Sequence, residues 1–268
     1  MGEWGDGAQW ERTGYKQNKI NLMLRSLKEL YGCMLGASDG DIGAVKDFYF
    51  DEQNQAVRYV VVDTGKWLPG RQVLISPQAF ALGKPGSKVM PVKLTRKKIE
   101  ASPAIAIHKP VSRQNEEAYH RYYGWPYYWE GDGLWGGMRG FPMLEVPATF
   151  LPGRPPAETS PKAEGTDAHL RSTRAVNGYH VQATDGIVGH VCDFLMDDKS
   201  WAIEELAVKT GHRLTGKEVR IPMKAVERIS YAESTVHVKL TKEAIEKSPE
   251  HLPAPKSAEV SSESTFAQ

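Results

Sequence analysis

Two cysteines in 268 residues, Cys33 and Cys192, are too few for a disulfide framework or a cysteine-based zinc site. Nor are they equivalent positions, so a shared redox role is not expected. No apolar run approaches the ~20 residues that a membrane-spanning helix requires. The opening Met1-Gly-Glu-Trp-Gly-Asp-Gly has no basic stretch leading into an apolar one, unlike a secretory leader. Neither sign of charge dominates: 34 Lys and Arg stand against 33 Asp and Glu, so no global field calls for nucleic acid or an anionic surface. Also missing are Gly-x-Ser-x-Gly, a phosphate loop, and Gly-x-Gly-x-x-Gly after a strand. None of the eight histidines falls in a metal-binding spacing. These absences lead us to expect a cytoplasmic protein, not an enzyme, with no cofactor and no metal. A composition of 40% hydrophobic and 25% charged residues is that of an ordinary folded chain.

What the sequence does contain is itself, twice. Leu24-Arg25-Ser26 recurs as Leu170-Arg171-Ser172, and the same register carries Asp39-Gly40 onto Asp185-Gly186 and Gly43 onto Gly189. Asp47-Phe48 likewise falls on Asp193-Phe194, and Val92-Lys93-Leu94-Thr95 on Val238-Lys239-Leu240-Thr241. Without a gap, 29 of 80 positions from residue 24 to 103 are identical to their counterparts, which is the signature of a duplicated domain. The organisation read from this is an N-terminal arm (1–23), a first domain (24–103), an aromatic-rich insert and linker (104–169), a second domain (170–250) and a disordered tail (251–268).

Each copy reads as β-rich. Asp39-Gly40 between apolar stretches signals a hairpin with a type I′ turn, and a strand from about Ile42 to Phe50 follows. Val57 to Asp63 is nearly all β-branched, as expected of a strand covered on both faces. Ser76-Pro77 opens a helical turn, and Thr95 caps a short helix that ends at Ser102-Pro103. Five or six short strands in about 75 residues suit a small antiparallel barrel, which closes on itself and leaves no open sheet edge. The expected fold is therefore mainly β, with two such barrels, each followed by a short helix, joined by the insert.

The pattern Gly-x4-Ala-(Ser/Thr)-Asp-Gly-x2-Gly-x-Val-x-Asp-Phe, followed later by (Leu/Arg)-Ile-(Ser/Pro)-x2-Ala, spans Gly32 to Ala79 and again Gly178 to Ala225. In this it resembles the PRC-barrel family, whose members include the cytoplasmic domain of the photosynthetic reaction-centre H subunit and the C-terminal domain of a ribosome maturation factor. Many bacterial proteins also carry the domain alone or in tandem. The resemblance implies a binding and scaffolding module, with an unidentified protein as partner and a second copy of the chain among the candidates. Association with a photosynthetic or other electron-transfer membrane complex is one implication; association with RNA or the ribosome is the alternative.

Asp39, Gly40, Gly43 and Asp47, with Asp185, Gly186, Gly189 and Asp193, are expected to define turns and strands, not to catalyse. The composition does not explain the segment from Tyr119 to Trp135, in which eight of 17 residues are aromatic. Tyr119, Arg121, Tyr122, Tyr123, Trp125, Tyr127, Tyr128, Trp129 and Trp135 are its candidate binding or packing residues. They could form a strap packed between the two barrels, an exposed docking patch, or a stacking platform for single-stranded nucleic acid. Sparse basic residues argue against the last, and a carbohydrate platform remains open. Lys93, Arg96, Lys97 and Lys98 make a small basic patch in the first copy only. Glu116, Glu117 and His120 could share one helical face, which is read as solvated.

Overall fold

The computed structural model describes residues 24–69, 71–81, 89–106, 111–130, 133–136, 170–211 and 216–251. The expected arm (1–23), the Pro- and Ala-rich linker (147–167) and nearly all of the expected tail lie outside these residues. In the first copy β1 (Leu24–Ser26) leads into a one-turn helix α1 (Leu27–Leu30). Then come β2 (Met34–Ala37), β3 (Gly40–Asp51), β4 (Ala56–Asp63), β5 (Arg71–Ile75) and β6 (Val89–Pro91), ending in α2 (Arg96–Glu100). The insert supplies β7 (Ile105–Ala106) and α3 (Arg113–Tyr123). The second copy repeats the plan with β8 (Leu170–Ser172), α4 (Thr173–Val176), β9 (His180–Ala183), β10 (Gly186–Asp197) and β11 (Ile203–Thr210). It finishes with β12 (Glu218–Pro222), β13 (Val226–Ser230), β14 (Thr235–Val238) and α5 (Lys242–Glu246).

Each copy builds a curled sheet, ordered β6-β2-β3-β4-β5-β7 in the first and β12-β11-β10-β9-β14-β13 in the second. Seven of the eight residues of β4 are buried, as its β-branched run predicts. The Pro77–Ala79 and Met223–Ala225 stretches are single 3-10 turns, and Thr95 and Thr241 cap α2 and α5 through their hydroxyls. One apolar cluster runs through both copies.

Three expectations need correction. The sheets are not purely antiparallel: β2 pairs with β6, and β9 with β14, in parallel. In each copy the last strand thus lies beside the first strand of the opening hairpin. Nor does a hydrogen-bonded ladder close either sheet among the described residues. Between β12 and β13 the chain itself turns the corner through Met223–Ala225, and in the first copy the described counterpart of the Val226–Val238 pair is a bridge between Phe80 and Val92. The Asp39-Gly40 hairpin is not the mirror-image turn: positive φ falls at Gly40 (135°) but at neither Ser38 nor Asp39, which occupy the loop.

From its place in this loop Asp39 also reaches across to α2. Its carboxylate accepts the N–H groups of Arg96 and Lys97 at 2.6 and 3.4 Å, tying the hairpin to the start of α2. Those bonds, the Arg96 N–H foremost, hold its carboxyl below the usual range. Asp185 does the same for Lys242 at 2.8 Å. Gly43 and Gly189 are required by close approach: a Cβ at either would collide with the carbonyl of Asp63 or Lys209 on the neighbouring strand.

The short strands that begin each copy do not pair at home. β1 lies against β10 of the second copy, Leu24 opposite Asp197 and Ser26 opposite Leu195; β8 lies against β3 of the first, Leu170 opposite Asp51 and Ser172 opposite Tyr49. The exchange is reciprocal, as in an isologous dimer interface. Asp47 and Asp193 anchor it. Asp47 accepts hydrogen bonds from Ser172 Oγ at 2.5 Å, Thr173 Oγ1 at 3.2 Å and Arg174 N–H at 3.2 Å, all from the other copy. Asp193 accepts from Ser26 Oγ and, at 3.0 Å, from Lys28 N–H. Phe50 and Phe194 meet across the join with ring centroids 5.5 Å apart. Asp47→Ala would strand the part-buried Ser172 hydroxyl and give the exposed Arg174 N–H to solvent, so it should lower stability by about 1–2 kcal/mol. Urea denaturation of the full chain measures this, and a change below about 0.5 kcal/mol would mean the contact is incidental.

Candidate functional site

The aromatic insert lies over β4 of the first copy, because that strand presents two unusual side chains. Arg58 and Tyr59 interrupt the β-branched run of β4, and both are 1% exposed. Arg58 Nη2 contacts Asp51 Oδ2 at 3.1 Å, and Nη1 donates to the carbonyl of Leu134 in the insert. The Tyr128 ring covers the guanidinium at 4.0 Å and Trp135 flanks it at 5.1 Å. Burial opposes ionisation of Asp51, but Asn54, Arg58 and the Gln53 N–H together hold its carboxyl below the usual range.

Beside this pair sits a second buried cluster. Glu116, on the inner face of α3, accepts from Tyr128 Oη at 2.6 Å and from Arg113 Nη1 at 3.0 Å. This corrects the solvated face expected for Glu116 and His120, both of which are 1% exposed. His120 Nδ1 lies 2.8 Å from the Pro126 carbonyl, and Nε2 lies 2.9 Å from Tyr59 Oη. A carbonyl only accepts, so Nδ1 carries the proton and Nε2 accepts from the tyrosine. Burial holds His120 below the ordinary histidine range and pushes the Tyr128 hydroxyl far above that of a free tyrosine.

The other insert residues pack around these polar groups. Tyr119 and Tyr123 are buried, Trp125 stacks on Tyr123 at 4.3 Å, and Tyr122 Oη donates to the Lys98 carbonyl at 2.8 Å. Trp129 touches the rings of His120, Tyr127 and Tyr128 and lies 4.2 Å from the Arg113 guanidinium. Arg121 alone of the nine candidates is exposed. Trp135 reaches the second copy, donating from Nε1 to the Ser200 carbonyl at 3.0 Å. The basic patch is partly absorbed as well: Arg96 covers Trp67 at 4.5 Å.

The insert chooses the first copy for a reason visible in the duplication. Arg58 and Tyr59 correspond to Glu204 and Glu205, which offer neither a cation to place under Tyr128 nor a hydroxyl for His120. Sequence reading named the insert residues but missed Arg58 and Tyr59. An arginine inside a run of valines was the available signal, since it must find a buried counter-charge. Burial pushes the Cys192 thiol up to about 12, so it is not a thiolate at neutral pH. Among the described residues, no group of three or more His, Cys, Asp and Glu side chains is placed to hold a metal, and no helix is long and apolar enough to cross a membrane.

The PRC-barrel domain model matches residues 25–103 and 172–245, which together cover more than half of the chain. The chain therefore belongs to the PRC-barrel family, as a tandem member. A search of curated proteins found no match.

Two outcomes follow. Trp129→Ala should cost about 2 kcal/mol by removing a half-buried ring with several aromatic and cationic neighbours, whereas Arg121→Ala should leave stability unchanged within about 0.5 kcal/mol. Denaturation curves of the two variants make the comparison. The depressed His120 predicts the pH dependence. Between the unfolded value near 6.5 and the lower folded one, the unfolded chain binds the extra proton, so stability falls as pH drops through that window. His120→Phe should be less stable at pH 8 and should lose that part of the slope, as read from melting temperatures across pH 8 to 5.

Proposed function

We propose that the protein is a non-enzymatic adaptor, in which two fused PRC-barrels present their outer faces to a protein partner. The observation carrying this reading is the use made of the repeated carboxylates. Asp47 and Asp193 bind the hydroxyls and helix N–H groups of the opposite copy, and Asp39 and Asp185 tie hairpins to helices. The residues that the duplication preserves thus tie the two copies into one frame. The insert contributes to the same end, covering one face of the first lobe and leaving the corresponding face of the second differently furnished.

The partner we propose is a component of a membrane-associated electron-transfer complex in the cytoplasm, a reading supported by the family's presence in the reaction-centre H subunit. Association with RNA is the competing class. A salt titration with structured RNA separates them. The adaptor reading expects dissociation constants weaker than about 1 μM at physiological salt, typical of non-specific contact. Submicromolar affinity that falls steeply as salt rises would overturn it in favour of RNA. In-cell cross-linking should recover a protein partner at fixed stoichiometry.

A further inference from the structure

The two copies are not finished alike where they meet. At their junction the turn after β3 and the turn after β10 exchange hydrogen bonds: Val57 N–H donates to Trp201 O at 2.9 Å and Ile203 N–H to Gln55 O at 2.7 Å. Gln55 and Trp201 are equivalent in the duplication, and both have positive φ, 52° and 60°. Trp201 is 7% exposed and packs on Phe80, next to the Pro77–Ala79 turn of the first copy. Its counterpart Gln55 reaches the matching turn of the second copy only with its amide, which donates to the Met223 carbonyl at 3.4 Å. A groove opens there, walled by Leu24, Ile203, Pro222 and Met223, with Gln55 and Glu204 at its edge.

Charge differs in the same sense. In the first copy Arg58 neutralises Asp51. In the second, the equivalent residues are Glu204 and Asp197, two carboxylates. Burial, then Asp197 and Glu205, raise the Glu204 carboxyl, as expected of acids lacking a counter-ion. Glu205 has Arg220 at 3.4 Å, and Lys224 on the rim has an interaction of its own. Among the described residues no cation is paired with Glu204. Among the described residues the second copy therefore lacks both things that the first receives from within the chain: an indole against the 3-10 turn and a cation against the strand-end carboxylate.

We infer that this groove is a docking site for a protein partner that supplies both, a tryptophan or other large aromatic side chain adjacent to an arginine or lysine. The assignment rests on the adaptor reading and names its contact point. The aromatic ring enters between Leu24, Ile203 and Met223, as Trp201 sits beside Phe80, and the neighbouring cation meets Glu204 and Asp197.

The probe is a fluorescein-labelled Gly-Ser-Trp-Arg-Ser-Gly peptide, titrated with the full chain and followed by anisotropy. Saturable binding is expected, with a dissociation constant on the order of 100 μM for so small a contact. Replacing the peptide tryptophan with alanine should abolish it. Gln55→Trp fills the groove from within, on a backbone that already holds tryptophan at the equivalent site, and should weaken binding at least tenfold. Glu204→Arg, which restores the pairing seen at Arg58, should do the same and guards against misfolding of the first variant. No saturation at about 1 mM, or equal binding by wild type and both variants, would overturn the inference. Saturation that appears only after residues 1–23 are deleted would give the groove to the chain's own arm and overturn it too. The adaptor reading would survive either result if a cross-linked partner still bound the Gln55→Trp protein.

Discussion

The structure depends on one carboxylate used twice, buried at Asp193 and half-buried at Asp47. Asp47 and Asp193 sit in the middle of the longest strands, where burial pushes both carboxyls above their ordinary range. Such a group is costly unless it is hydrogen-bonded, and much of its hydrogen bonding comes from across the seam. Each copy therefore carries a demand for donors that the first residues of the other copy meet. This is why Leu-Arg-Ser and the Asp-Phe pair recur together, since a change in one would strand the other. Aromatic and aliphatic contact across the join, with Phe50 against Phe194, adds non-directional attraction to this directional one.

Much of the fold was legible from the residues. The duplication, the β-rich plan, the covered central strand and the threonine-capped helices follow from self-similarity, side-chain alternation and capping chemistry, all local in sequence. The strand exchange was not legible. Leu24-Arg25-Ser26 and Leu170-Arg171-Ser172 are identical, so pairing with the home sheet or with the opposite one satisfies the same pattern; only geometry distinguishes them. The parallel pairing of β9 with β14 escaped for a similar reason, because it joins segments about fifty residues apart. The Asp-Gly turn misled because the dipeptide is also the end of a hairpin whose aspartate is needed elsewhere, at the start of α2.

The candidate site was half legible. A density of aromatics announced the insert, but rings alone do not say what they cover. Its destination was written in the differences between the copies. Arg58 and Tyr59 stand where the second copy has Glu204 and Glu205, and Trp201 stands where the first has Gln55. Identity between repeats marks what holds the frame together, while divergence marks where each lobe meets something different. One lobe has its face covered by the insert, and the other keeps a groove edged by Glu204, with which no cation is paired among the described residues.

If the seam governs the structure, the two PRC-barrels cannot unfold separately. Differential scanning calorimetry of the intact chain tests this most directly, by comparing the calorimetric unfolding enthalpy with that inferred from the sharpness of the transition. The account predicts one transition with a ratio of about one. Two resolved transitions, or a ratio near two, would mean that the lobes melt independently and that the reciprocal exchange does not bind them into one unit.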